Sequence, residues 1–307
     1  MLGDEYYTKK ASGFSQETND ALISPLFYQP TPKGVALLCA HYSAKYNLDL
    51  RCIDFQGKIE AADNSLFFFK YLAETNYLDC LSNNQTMGLV LTHGSYHAIP
   101  LLVIKIQDVV HMMVFDSTSG PRVKGYFSIA KLFDKAHFYL NSGSRQVDSS
   151  SCITDAICIL KEALQLPNLM SLIEAKRFDD HSSLKQNPHS MFNVPKPDNF
   201  VVFKMPEQLL LTAQSSDYIT EADADLSVVI RGGKTLGEYR KHFRMQVSLT
   251  QGSSVVVAGI NSYLFVKSRE HKKIFDAFAA RKEELNTPIS ELRHVESDVE
   301  LLPKSWY

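Results

Sequence analysis

Cysteine is scarce in this 307-residue chain, occurring only at Cys39, Cys52, Cys80, Cys152 and Cys158. A sparse, odd set without a C-x2-C spacing excludes a disulfide-dense scaffold and a zinc-finger ligand set, and points to a reducing compartment. Charge of one sign is missing too: 32 Lys+Arg stand against 34 Asp+Glu, a formal net charge of −2. No global field then draws the chain to nucleic acid or to an anionic membrane. Long apolar runs are absent, and none approaches the ~18 residues of a membrane helix. Met1 to Gln29 carries Asp4, Glu5, Lys9 and Lys10 without an apolar core, which argues against a Sec-type signal peptide. What is present, 45% hydrophobic and 21% charged residues, is the composition of an ordinary globular protein. The length suits one large domain or two modest ones.

Along the chain, residues 1–30 are polar and irregular and read as a loosely held arm. Val35, Leu37, Leu38 and Tyr42 predict a helix over 34–46, and Phe67, Phe68 and Tyr71 predict another within 66–81. The middle of the chain is β-branched and apolar. Met87 to Val90, Tyr96 to Ile106 and Val109 to Phe115 predict three strands, the last two joined by a hairpin at Gln107-Asp108. Asp116 to Pro121 forms a turn, a helix follows over 128–135, and His137 to Leu140 suits a strand. Ile153, Ala156, Ile157, Leu160 and Leu164 then make a strong helical stripe behind the capping residues Asp148-Ser149-Ser150-Ser151. Residues 178–200 read as a linker, 200–283 as mainly helical with a β-like interruption near 253–259, and 286–307 as a charged tail.

Cys152 thus falls at a helix N-terminus, where unsatisfied N–H groups and the positive end of the dipole favour a thiolate, the nucleophilic form. His97 opens one arm of the predicted hairpin and Asp116 closes the other. Corresponding ends of paired strands bring two side chains together, so His97 can act as base and Asp116 can orient it. Gln146, six residues before Cys152, carries an amide able to donate to an oxyanion. Each residue also has a plainer reading. Cys158 is a small core residue, a histidine starting a strand is commonly structural, and Asp116 suits a turn; an interaction module with a structural cysteine stays open beside the enzyme.

The order His97, Asp116, Gln146, Cys152, with Arg145-Gln146-Val147-Asp148-Ser149-Ser150-Ser151-Cys152 before an apolar helix, resembles the clan CE cysteine enzymes. Within that group the 19-residue step from histidine to acid resembles the YopJ family of bacterial effector acetyltransferases. Lys204-Met205-Pro206-Glu207, Leu211-Thr212-Ala213-Gln214-Ser215, Gly233-Lys234-Thr235-Leu236 and Asn261-Ser262-Tyr263 through His271-Lys272-Lys273 are similar to family segments in the same order. Ile153 stands where the family usually has glycine, and Leu211-Thr212 replaces a Lys-His pair.

The resemblance implies an α+β fold, a mixed sheet flanked by helices with a mainly helical C-terminal regulatory region. It implies acetyl transfer from acetyl-CoA through Cys152 to Ser, Thr or Lys side chains of a host signalling protein such as a kinase. The alternative is a peptidase or deubiquitinase using the same His97, Asp116 and Cys152. It further implies a secreted effector acting in the host cytoplasm, with inositol hexakisphosphate as activator held by Arg231, Lys234, His271, Lys272 and Lys273; Lys267 and Arg269 lie in the same basic stretch. The expected division is an arm over 1–33, a catalytic domain over 34–197, a regulatory region over 198–283 and a tail over 284–307.

Overall fold

The computed structural model describes residues 5–11, 16–18, 21–23, 26–55, 64–93, 97–117, 123–148, 151–178, 196–251 and 254–286. Residues 118–121 of the turn predicted over 116–121, most of the predicted linker and the tail beyond 286 lie outside them. Strands β1 (Tyr7–Ala11), β2 (Gln16–Thr18), β3 (Ala21–Ile23) and β4 (Leu26–Pro30) precede helix α1 (Pro32–Tyr46) and β5 (Leu50–Asp54). Then come α2 (Asn64–Glu74), β6 (Thr86–His93), β7 (His97–Ile106), β8 (Val109–Val114), α3 (Val123–Ala130) and β9 (Ala136–Asn141). Helices α4 (Cys152–Leu164) and α5 (Leu169–Ala175) lead to β10 (Arg177–Phe178) and β11 (Phe200–Phe203). The remainder is α6 (Ser216–Glu221), β12 (Val229–Arg231), β13 (Lys234–Thr235), α7 (Leu236–His242), β14 (Arg244–Gln251), β15 (Ser254–Asn261) and α8 (Tyr263–Asn286).

The central sheet has seven strands in the order β10-β11-β9-β8-β7-β6-β5. It is mixed: β6-β7-β8 is an antiparallel meander, whereas β5 joins β6, and β9 joins β8 and β11, in parallel. The meander turns at Gln107-Asp108, both with positive φ (49° and 64°), the tight left-handed geometry that suits a two-residue hairpin. Alternation along the strands feeds two cores. Ala98, Leu102, Met113 and Phe115 face the layer of α1, α4 and α8, while Ile99, Leu101, Val103, Met112 and Val114 face α2 and α3. Helix α4 is buried at every residue from Cys152 to Lys161. A helix apolar nearly all round belongs in the interior, and α4 lies against β6 and β7 with α1, α8 and β4 around it.

Two expectations are corrected. The N-terminal arm is fastened, not loose: β1 pairs with β4, and Tyr6, Tyr7 and Phe27 are buried. Tyr6 and Tyr7 stack on Phe275 of α8, and Glu5 bridges Lys33 and Lys282. Three aromatic anchors outweigh the polar residues that made the segment look irregular. The C-terminal region holds more strand than expected, because β14 and β15 form a long antiparallel hairpin from Arg244↔Asn261 to Gln251↔Ser254. No single helix among the described residues is long and apolar enough to cross a membrane.

Candidate active site

Cys152 is the first residue of α4 and is 5% exposed. Ser151 precedes it as N-cap without a side-chain cap bond; instead its backbone N–H donates to Asp148 Oδ1 at 2.7 Å. The carboxylate, one turn earlier, therefore fixes how the chain enters the helix. Across the layer, the sulfur accepts a hydrogen bond from the backbone of Ala98, the second residue of β7. Cysteine and the start of the histidine strand meet at one end of the sheet.

His97 is the first residue of β7 and pairs with His93 across the β6-β7 ladder. Its place in the alternation matches Ile99, on the α2/α3 face. Asp116 lies one residue beyond Phe115, whose N–H donates to the Pro100 carbonyl at 3.0 Å and so extends the β7-β8 ladder past its last paired residues. Asp116 is fully buried and accepts from Tyr126 Oη at 2.8 Å on that same α2/α3 side. Histidine and aspartate thus occupy diagonal positions on one sheet face, a separation that long side chains span. Cys152 reaches the end of the sheet from the other face.

The thiol does not carry the depressed pKa expected from a helix N-terminus. Burial pushes it up to about 12, assisted by the charges of Asp148 and Asp155, against lowering hydrogen bonds from Ala98 and Ile153. Desolvation outweighs the helix end because the sulfur is shut away from water. Gln146 also departs from expectation. Its Oε1 accepts from Ser117 Oγ at 2.8 Å, and its Nε2 donates to the Asp148 carbonyl at 2.6 Å and to Asp148 Oδ1 at 3.0 Å. The amide nitrogen is thus held by the backbone carbonyl and the carboxylate of Asp148, so in this state Gln146 braces the loop and does not face an oxyanion.

Residues not singled out from the sequence surround that loop. Arg145 is fully buried and forms a two-pronged pair with Asp155 at 2.8 Å on each side. Its other bonds reach Thr212 Oγ1 (2.8 Å) and the Phe115 carbonyl (2.6 Å), which adjoins Asp116. Gln214, also fully buried, bonds to Val147, Asp148 and Ser151. An Arg-Asp pair ten residues apart across a turn and a helix start has no sequence period to betray it. The rare event of two such groups losing all contact with water is tertiary.

The residues expected to hold a phosphate stand in different surroundings. His271 is fully buried with Nε2 3.0 Å from Tyr42 Oη. Burial, and then the cations Lys267 and Lys161, push its pKa down to about 3, so it is neutral and offers no charge to a phosphate. Lys272 pairs with Asp276 and lies over the rings of Tyr7 and Tyr28. Lys273 is exposed. Arg231 joins a different group. Glu162 Oε1 accepts from Arg231 Nη1 at 3.1 Å and from the buried Lys161 Nζ at 2.7 Å. Lys161 and Lys267 lie over Tyr42 and Tyr263 respectively, and Lys234 lies over Tyr239. Among the described residues, no group of three or more His, Cys, Asp or Glu is placed to hold a metal ion.

No protein-family model matches the chain, and no curated protein matches it by sequence. Solved structures do. HopZ1a in complex with IP6 and CoA superposes with a TM-score of 0.57 at 9% identity, over 81% of this chain and 85% of that one. HopZ1a in complex with IP6 gives 0.54 at 10% identity, over 82% and 86%. AvrA delL154 with IP6 and CoA gives 0.49 at 15% identity, over 79% and 86%. The mixed sheet flanked by helices, expected from the sequence, is therefore the α+β fold of HopZ1a, a YopJ-family effector.

Proposed function

We propose that this chain is a cysteine-dependent protein acetyltransferase of the YopJ kind, with Cys152 as nucleophile, His97 as base and Asp116 as the acid that orients the imidazole. The observation that carries this reading is the meeting of Cys152 with the opening of β7, the sulfur bonded to Ala98 beside His97. It is supported by the fold shared with HopZ1a, which was solved in complex with CoA.

A thiol with a pKa near 12 requires its proton to leave as the new bond forms. The Cys152 sulfur attacks the thioester carbonyl of acetyl-CoA while its proton passes to His97. The C–S bond to coenzyme A breaks, and the departing sulfur takes that proton from the imidazolium. The acetyl group now sits on Cys152 as a thioester of similar energy. A Ser or Thr hydroxyl, or a Lys amine, of the acceptor protein attacks it, giving its proton to His97, which returns it to the Cys152 sulfur. Backbone N–H groups at the start of α4 hold the oxyanion, and Gln146 joins them once Asp148 releases its amide. The acceptor is a host signalling protein such as a kinase, and the chain works as a secreted bacterial effector in the host cytoplasm.

The group around Arg231 suits inositol hexakisphosphate. Lys161, Arg231, Lys234 and Lys267 outnumber Glu162 and Glu270, and the buried Tyr263 hydroxyl has no hydrogen-bond partner among the described residues. Excess cations and an unused donor are what a polyphosphate would satisfy. Bound there, it would supply negative charge joining α4, β12 and α8.

Intact-mass measurement after exposure to acetyl-CoA, with and without inositol hexakisphosphate, tests the reading. One acetyl group on Cys152, absent in Cys152→Ala and enhanced by the phosphate, is expected. Cleavage of a ubiquitin-family probe with no acetyl uptake would instead make the chain a peptidase.

A further inference from the structure

A side chain from the C-terminal third of the chain grips the stretch that leads to Cys152. Gln214 lies between the 3-10 turn Glu207–Thr212 and α6, in the C-terminal third of the chain. Its Oε1 accepts from the N–H of Val147 (2.8 Å) and of Asp148 (3.3 Å). Its Nε2 donates to Asp148 Oδ2 (2.5 Å) and Ser151 Oγ (3.3 Å). Its backbone is anchored on both sides: the N–H donates to the Arg145 carbonyl, and the carbonyl accepts from Asn261 N–H at the end of β15. Asn261 Nδ2 in turn donates to the carbonyls of Leu211 and Ala213.

Asp148 is the hub that this amide controls. Its Oδ1 accepts from Ser151 N–H, which sets the start of α4, and from Gln146 Nε2. Gln146 then reaches Ser117, the neighbour of Asp116. A chain of bonds therefore runs from β15 through Gln214 and Asp148 to both the nucleophile's helix and the acid's strand. Moving Asp148 would shift the sulfur and the Gln146 amide together.

We infer that Gln214 is a positioning residue for the acyl-transfer site: its amide, acting through Asp148, holds Val147, Asp148 and Ser151 so that the Cys152 sulfur meets the start of β7 beside His97. This rests on reading Cys152 as the nucleophile. The role demands an amide, which accepts at one end and donates at the other. A carboxylate of equal size keeps the acceptor and loses the donor, and it meets the charge of Asp148 unless the two share a proton.

The test is the rate of iodoacetamide alkylation at Cys152, followed by peptide mass analysis from about pH 5.5 to 9, with no acyl donor present. Gln214→Glu alkylates at least about ten-fold differently from wild type at pH 8, and the ratio returns toward one as pH falls and a shared proton restores the bond. In Gln214→Glu/Asp148→Asn the amide and carboxylate exchange places, and the wild-type profile is restored. A structural amide alone predicts no such pH-dependent ratio. If Gln214→Glu follows wild type at every pH, or the exchanged pair behaves no better than the single change, the inference fails. Should Gln214→Glu not fold, the exchanged pair decides alone: a wild-type profile supports the inference and an altered one overturns it. Wild type taking no acetyl from acetyl-CoA while these profiles hold would sink the acetyltransferase reading and leave the clamp standing.

Discussion

Arg145 and Asp155 face each other across the turn into α4, joined by two 2.8 Å bonds with side-chain exposures of 0% and 2%. Burial raises the Asp155 pKa despite the guanidinium beside it, so desolvation outweighs what the attraction returns. The pair defines a geometry more than it adds stability. Either single truncation strands a buried charge, so Arg145→Ala and Asp155→Ala should each lose about 3–5 kcal/mol in denaturant unfolding. The apolar double change Arg145→Met/Asp155→Leu should recover much of that loss. A double variant still as unstable as either single would show that the pair itself stabilises the fold, and one as unstable as their sum would show that the two side chains act independently.

For the triad, Cys152→Ala should abolish acetyl uptake. His97→Gln should lower it on the order of 10²–10⁴-fold while acetyl-CoA binding changes little. Asp116→Asn should produce a smaller loss in the same parameter, because Tyr126 still orients the side chain. Single-turnover labelling separates chemistry from binding. His97→Gln acetylating at the wild-type rate would remove the histidine from the mechanism.

Free Cys152 should be a sluggish thiol. With its pKa pushed up to about 12 by burial, alkylation in the absence of acyl donor should keep rising through pH 9. A plateau below pH 8 would reveal a resting thiolate and a preformed ion pair.

His271 gives the acid side of the stability profile a sign. Its folded pKa, pushed down to about 3 by burial, lies below the unfolded value of about 6.5. As pH falls through 6.5, unfolded chains take up a proton that the folded protein refuses, so stability falls between about 6.5 and 3. Thermal melts of His271→Gln should lose less than wild type between pH 7 and 4. Parallel curves would place the acid sensitivity elsewhere.

Gly34 admits no side chain. A Cβ there would stand 2.0 Å from the Tyr6 carbonyl oxygen, which also accepts from the Thr31 N–H at 2.9 Å. Gly34→Ala should therefore destabilise by about 1–3 kcal/mol, as overpacking does, and loosen β1 and β4 from α1. Hydrogen exchange at residues 7–11 and 26–30 checks the second effect.

Much of the scaffold was legible along the chain. The β-branched runs gave the strands β6, β7 and β8 with the hairpin turn at Gln107-Asp108, and the stripe from Ile153 to Leu164 gave α4 with Cys152 at its start. Those signals are local and periodic. The arm misled because its few aromatics anchor it against α8, nearly 270 residues later, a contact without local period. His271 looked like a cation beside Lys272 and Lys273, yet within a single helix turn a buried face gives way to an exposed one.

The sequence by itself determined which residue types stand at the ends of β7 and β8 and at the head of α4, since strand alternation and helix capping are written in neighbours. Tertiary structure decided their chemical state. Burial raised the Cys152 thiol, neutralised His271 and committed the Gln146 amide to Asp148. Exclusion of water is set by the packed layers on every side of a group, and no stretch of chain contains those layers.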